Sequence, residues 1–214
     1  MEPRHPLVLI RHGEAEHHVR SITGGWTDTD LTEKGVLQSS LLGARLNREL
    51  GGISVHLGSS NLRRAVQTAQ IISNALGVDL QIYPAITDLN NGLAAGRTHA
   101  EAKELAIPPS EPLLDWQPYP QAESWRQFFT RVTHFMDEFS AQMEATTILV
   151  THSATVHAIL EWWLGLPVDS PTHFDVAPTS ITVLGHSRWG ERSVERLNDT
   201  AHLYAQGLSE SLQL

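Results

Sequence analysis

The chain has no cysteine among its 214 residues, so disulfides and a thiolate nucleophile are both excluded. Lysine is nearly missing as well. Lys34 and Lys103 are the only two, and the formal net charge is -9. Such a chain is a poor match for the phosphate backbone of nucleic acid, which is therefore not an expected partner. No apolar run approaches the roughly 20 residues of a membrane-spanning helix, so no membrane role is expected. Met1-Glu2-Pro3-Arg4-His5-Pro6 lacks the basic start and long apolar stretch of a secretory leader, which points to a cytoplasmic setting. Internal repeats, low-complexity tracts and charge blocks are also missing. The hydrophobic share, 41%, is ordinary for a globular protein, and the length suits one α/β domain over residues 1–214. Nothing in the pattern implies a particular oligomeric state.

What is present is an alternation of short apolar runs with amphipathic stretches, which predicts βαβ units and a mostly parallel open sheet with helices on both faces, three layers in all. Strands are expected at Leu7 to Ile10, Ile53 to Leu57, Leu80 to Tyr83, Thr147 to Val150 and Ile181 to Leu184, with a weaker one at Ser193 to Leu197. Thr32 is the expected N-cap of a helix reaching about Leu50, closed by Gly51-Gly52. Leu62, Val66, Ala69, Ile72 and Leu76 share a helical face that Gly77 ends. Trp125, Phe128, Val132, Phe135 and Phe139 repeat at helical spacing and read as a core-facing helix rather than a cofactor box. Val156, Ile159, Leu160 and Trp163 form another such face, stopped by Gly165. Residues 107–122 hold five prolines with Trp116 and Tyr119, a composition that resists regular structure and reads as a lid-like segment shaping a pocket.

The most informative run is Leu7-Val8-Leu9-Ile10-Arg11-His12-Gly13-Glu14. A buried strand ends in a permanent cation, an imidazole and a glycine. The carboxyl edge of an open α/β sheet is where ligands bind. Arg offers a fork of donors to phosphate or carboxylate, and His can serve as a nucleophile near neutral pH. Gly13 would let the backbone turn or approach an anion. Three more segments put polar groups after strands. Gly58-Ser59-Ser60 leads into a helix whose first turn holds Arg63 and Arg64. Cations are poorly placed there for the helix dipole, so they suggest an anion nearby. Ile148-Leu149-Val150-Thr151-His152-Ser153 repeats the grammar of strand, histidine, small residue, helix. Ile86-Thr87-Asp88 through Arg97-Thr98 is rich in turn formers, with Asp88 its only carboxylate.

These four segments together resemble the histidine phosphatase superfamily, the phosphoglycerate-mutase-like fold. Arg11-His12-Gly13-Glu14 matches the signature around the family's phospho-accepting histidine. Gly25-Trp26-Thr27-Asp28 through Leu31-Thr32-Glu33-Lys34-Gly35 resembles the next block. Ser60-Asn61-Leu62-Arg63-Arg64-Ala65-Val66-Gln67-Thr68-Ala69 fits Ser-x-Leu-x-Arg-Ala-x-Gln-Thr-Ala, which selects Arg64 over Arg63. Val150-Thr151-His152 matches the second histidine, and Asn198-Asp199-Thr200-Ala201-His202-Leu203 a frequent C-terminal signature. The resemblance spans about residues 7 to 203. It departs from the family pattern in three places: Ile86-Thr87-Asp88 stands where many members read Leu-x-Glu, His18 where many carry Asn, and Ser153 where a glycine is usual.

The resemblance implies a metal-independent phosphomonoesterase with no cofactor and a phosphorylated small molecule as its partner. His12 would accept the phosphoryl group. Arg11, Arg64 and His152 would surround its oxygens, and Asp88 would protonate the leaving oxygen. His18, Thr23, Ser153 and Glu123 would contact substrate, with Glu123 the rival proton donor. Glu14 would only form a nearby ion pair. Two alternatives stand beside this reading: a phosphoglycerate mutase, and a member that binds phosphorylated ligands without turnover. The mutase stretch Glu-Arg-His-Tyr-Gly is replaced by Asp88-Leu89-Asn90-Asn91-Gly92. A metal held by His17 and His18 lacks a supporting acidic pair.

Overall fold

The four apolar residues after Pro6 lie at the centre of the sheet, and their alternation decides which helical layer each one meets. The computed structural model describes residues 5–208; the leader reading of Met1–Arg4 and the domain's last six residues fall outside that range. Strand β1 (Leu7–Arg11) lies parallel to β4 (Thr146–Thr151) on one side and antiparallel to β5 (Ile181–His186) on the other. With β2 (Val55–Ser59), β3 (Leu80–Ile82) and β6 (Arg192–Asp199), the order is β3-β2-β4-β1-β5-β6.

Successive strand residues point to opposite faces. Leu7 and Leu9 accordingly join a core with Phe128, Val132 and Met136 of α5 (Trp125–Ser140) and Ile159 and Leu160 of α6 (Ser153–Leu164). Val8 and Ile10 join the opposite core with Leu42 and Leu46 of α2 (Glu33–Leu50) and Ala65, Ala69 and Ile72 of α3 (Arg63–Leu76). The layers are those expected. The helix ends also follow from local chemistry. The Thr32 hydroxyl accepts from the Gly35 amide to start α2, and left-handed Gly77 and Gly165 close α3 and α6, at φ 68° and 67°.

The structure differs from expectation in several places. The sheet's second edge is antiparallel, because the 166–180 loop returns the chain to the edge that carries His12 before β5 begins. There the Thr179 amide donates to the Arg11 carbonyl. Three short helices went unforeseen: α1 (Glu16–Val19), α4 (His99–Leu105), which a reciprocal Thr98–Glu101 capping box starts, and α7 (Ala201–Tyr204). Gly13 has a different reason from the one expected. A Cβ there would stand 2.7 Å from the Gly35 carbonyl oxygen, so the glycine lets β1 and α2 approach. Residues 107–122 hold one 3-10 turn, Leu113–Asp115, in an otherwise irregular path. The Trp116 indole donates to the Ile107 carbonyl, and it is Leu113 and Leu114 of this segment that line a cavity. The C-terminal signature serves the fold: Asp199 takes two hydrogen bonds from Arg45, beside α7. No helix among the described residues is long and apolar enough to cross a membrane.

Candidate active site

Because β1, β2 and β4 are parallel, their carboxyl ends share one edge. The register sets Arg11 against Thr151 and Ser59 against Val150, so the next residues, His12, Ser60 and His152, emerge together. The His12 and His152 rings lie 5.1 Å apart, nearly edge to face. The order in which β1 and β4 are used makes this the crevice where open α/β sheets bind ligands.

His12 and His18 are each held neutral and in one tautomer. The His12 Nδ1 lies 2.7 Å from the Gly13 carbonyl oxygen, which can only accept, so Nδ1 carries the proton. The Arg64 Nε donates to His12 Nε2 at 3.0 Å, which requires Nε2 to be bare. Burial, then the charges of Arg64, His152 and Arg11, hold the His12 pKa well below its usual value. A neutral imidazole with its lone pair on Nε2, set among cations, can attack phosphorus.

Arg64 is fully buried, its guanidinium pinned by the carbonyls of Thr27 (2.6 Å) and Gly25 (2.8 Å) and by Asp88 (3.3 Å). Arg63 points outward and pairs with Asp30, while Asp28 accepts from its amide and so caps α3. The Arg11 Nη1 donates to the Val176 carbonyl, and its Nη2 stands 3.3 Å from His18 Nε2. His18 Nδ1 accepts from the Ala15 amide, and burial lowers its pKa to about 4, so neutral His18 carries its proton on Nε2. Two donors thus stand side by side 3.3 Å apart, an arrangement that one anionic oxygen could satisfy by accepting from both. His152 Nε2 contacts the Ser60 hydroxyl at 2.7 Å. Its buried Nδ1 has no hydrogen-bond partner and lies 3.9 Å from Asp88 Oδ2. Burial raises the Asp88 pKa, against the pull of Arg64, so part of its population keeps the proton above the ordinary carboxylate range.

The structure brings Arg11, His12, His18, Asp88 and Ser153 to one cavity of about 380 Å³, together with His17 and His99. Thr23 and Glu123 are engaged elsewhere. The Thr23 hydroxyl donates to the Ala94 carbonyl. Glu123 makes a two-pronged pair with Arg131 and accepts from the Asn90 amide. Arg131 also donates to the carbonyls of Ala85, Thr87 and Asp88, so the pair braces the loop that presents Asp88. Glu14 pairs with Lys34 at 2.8 Å. His17 contacts Thr29, and among the described residues no group of three or more His, Cys, Asp or Glu converges as metal ligands would. Sequence reasoning missed Ser60, His99 and Arg131. The signal for Arg131 was a charge inside an apolar helical stripe, one turn from Phe128.

Arg64 and Arg63 should respond differently to truncation. Arg64→Ala is expected to cut kcat/KM for a phosphomonoester by about a hundredfold. It should also destabilise the fold by about 3 kcal/mol, since it empties a fully buried position and takes the donor away from the Thr27 and Gly25 carbonyls. Arg63→Ala, which loses an exposed pair, should change either quantity little. Steady-state kinetics and thermal melts of both variants check this; a larger kinetic loss in Arg63→Ala would contradict it.

Comparison with known proteins matches residues 7–200 to the model of the histidine phosphatase superfamily (branch 1). A protein of Hydrogenobacter thermophilus named "Putative phosphoserine phosphatase 2" is 27% identical over 92% of this chain and 96% of its own. A "Probable phosphoglycerate mutase GpmB" of Proteus mirabilis is 30% identical over 95% and 97%. Among solved structures, the phosphoserine phosphatase of Entamoeba histolytica, in complex with 3-phosphoglyceric acid, superposes with a TM-score of 0.75 at 24% identity, covering 92% of this chain and 98% of that one.

Proposed function

The chain belongs to the histidine phosphatase superfamily, and from that premise we propose that it hydrolyses phosphomonoesters of small molecules through a phosphohistidine on His12, with no metal ion. The observation that carries the reading is the His12 tautomer: Nδ1–H on the Gly13 carbonyl, Nε2 bare, the ring kept neutral among arginines. His12 Nε2 attacks phosphorus and the bond to the alcohol oxygen breaks. Protonated Asp88 gives that oxygen its proton. Water then attacks the phosphohistidine, Asp88 takes the water's proton, and inorganic phosphate leaves. Arg11, Arg64, His18 and His152 direct donors at the phosphoryl oxygens, where the transition-state charge lies, and so supply the electrostatic stabilisation a metal would otherwise give. A cytoplasmic setting and the exclusion of nucleic acid go with this reading, supported by the acidic chain.

A second reading, phosphoglycerate mutase, is favoured by the Proteus relative. One comparison separates them: phosphate release from nitrophenyl and alkyl phosphates after exhaustive chelation, run beside a coupled phosphoglycerate mutase assay. Release should survive chelation, be blocked by vanadate, and outrun mutase turnover. Loss restored by a divalent ion would move the site to a metal centre at His17 and His18. Faster mutase turnover would establish the second reading. Phosphate binding with neither activity would make the chain a non-catalytic phospho-ligand binder.

A further inference from the structure

A second cavity, of about 530 Å³, adjoins the phosphate pocket, and the two share Ser153. We propose that this cavity receives the alcohol part of the substrate, and that the alcohol it takes is a flat aromatic group bearing an N–H or ammonium donor at its far end. The inference rests on the phosphatase reading, because it names the substrate class of the same site.

The helix α6 supplies one side of the cavity. Ser153, His157 and Glu161 recur every four residues and so share a face. At 1.5 Å per residue, Glu161 lies about 12 Å beyond Ser153 along the helix axis. The path from phosphate to floor is therefore long enough for two rings in a row. The walls are apolar and aromatic. Trp125 and Phe174 stand 5.3 Å and 5.7 Å from the His157 ring, and Leu113 and Leu114 add their side chains from the proline-rich segment.

The floor is polar and incomplete. Glu161 is 1% exposed, and its Oε2 is buried without a hydrogen-bond partner. His157 Nε2 stands 3.6 Å away, beyond hydrogen-bond range. Burial lowers the His157 pKa to about 4, so this neighbour does not bring a positive charge near neutral pH. The same burial lifts Glu161 to about 7. A buried carboxyl oxygen left unsatisfied is costly, and a donor arriving on a ligand would relieve that cost. No lysine or arginine lines the cavity among the described residues, while Asp169 adds a further acid. A carboxylated alcohol such as glycerate is thus opposed, whereas an amine is drawn both to the acids and to the ring faces.

Two other cavities fit less well. One shares Ile22 with the phosphate pocket, but its carboxylate, Asp28, already accepts from the Arg63 amide. The other, of about 600 Å³, is lined by Val55 and Thr147, at the opposite end of the strands from His12.

The test compares kcat/KM for aminobiphenylmethyl phosphate, biphenylmethyl phosphate, benzyl phosphate and 3-phosphoglycerate. The amine is expected to be preferred by about tenfold over the biphenyl that lacks it, and by more over 3-phosphoglycerate. In Glu161→Leu the ratio of amine to plain biphenyl should fall to about one. Leu113→Arg, at an exposed position of the wall, should raise KM for the amine and narrow its advantage over 3-phosphoglycerate. Equal rates for the two biphenyls in the unmodified protein, or an undiminished preference in Glu161→Leu, would overturn the assignment. If benzyl phosphate is not hydrolysed at all, it is the phosphatase reading that fails. Calorimetry with aminobiphenylmethanol then reads the cavity directly: binding at least about tenfold weaker in Glu161→Leu supports it, and no binding to the unmodified protein overturns it.

Discussion

Replacing His12 with alanine is expected to lower kcat for any phosphomonoester by at least about a thousandfold while the protein stays folded. The kinetic loss follows from the site's division of labour. Arg11, Arg64, His18 and His152 can bind and polarise a phosphoryl group, but the arginines have no lone pair to give, the His18 Nδ1 lone pair is taken by the Ala15 amide, and no hydrogen bond fixes the His152 tautomer; His12 has a bare Nε2, a fixed tautomer and a pKa held low by burial. The fold should survive because the His12 side chain's two hydrogen bonds go to its neighbour Gly13 and to Arg64, which keeps its carbonyl partners. Phosphate should still bind, since the donors remain. Kinetics, a thermal melt and a phosphate titration of the one variant check all three points. Activity within tenfold of the unmodified protein would remove His12 from the role of nucleophile.

Asp88→Asn should produce the second largest effect, and one that depends on the leaving group. An alkyl alkoxide needs a proton as it departs, so its ester should slow by about a hundredfold or more. Nitrophenolate leaves unaided, so its ester should slow less than tenfold. The pH profile carries the same information. Burial raises the Asp88 pKa, so the acid form survives to higher pH than a free aspartate's, and the alkyl rate should fall as pH rises through that value. His12 is shifted the other way: its depressed pKa keeps it neutral well into acid, and only below that value should the rate fall again. The optimum should therefore lie between the depressed His12 pKa and the raised Asp88 pKa, and Asp88→Asn should erase the alkaline limb. Glu123→Gln is the control. Glu123 is bound to Arg131 and braces the Asp88 loop, so its loss should slow the alkyl ester less than Asp88→Asn does and leave the alkaline limb in place. An alkaline limb erased in Glu123→Gln and kept in Asp88→Asn would make Glu123 the donor.

The sequence was legible where chemistry is local. Apolar runs marked the strands, Thr32, Gly77 and Gly165 marked helix ends, and a strand followed by histidine placed His12 and His152 at one edge. Choosing Arg64 over Arg63 needed the family pattern, because two neighbours on a helix differ only in the direction each takes. Long-range pairings were not legible. Glu123 reads as a free acid until Arg131, eight residues on, is seen folded against it. Gly13 reads as a turn or an anion contact until Gly35 is found 2.7 Å from where its Cβ would be. The antiparallel direction of β5 is set by a loop whose path depends on the Thr179 contact to Arg11. The α4 helix was announced by Thr98 and Glu101, a capping box masked by the turn formers before it.

The most direct measurement is rapid quenching of the protein with a phosphorus-labelled ester, followed by peptide mapping of the retained label. Retained label that is stable in base and lost in acid, mapped to the peptide containing His12 and missing from His12→Ala, is the result predicted. Label on any other residue, or steady turnover with no trapped phosphate at any quench time, would contradict covalent catalysis by His12.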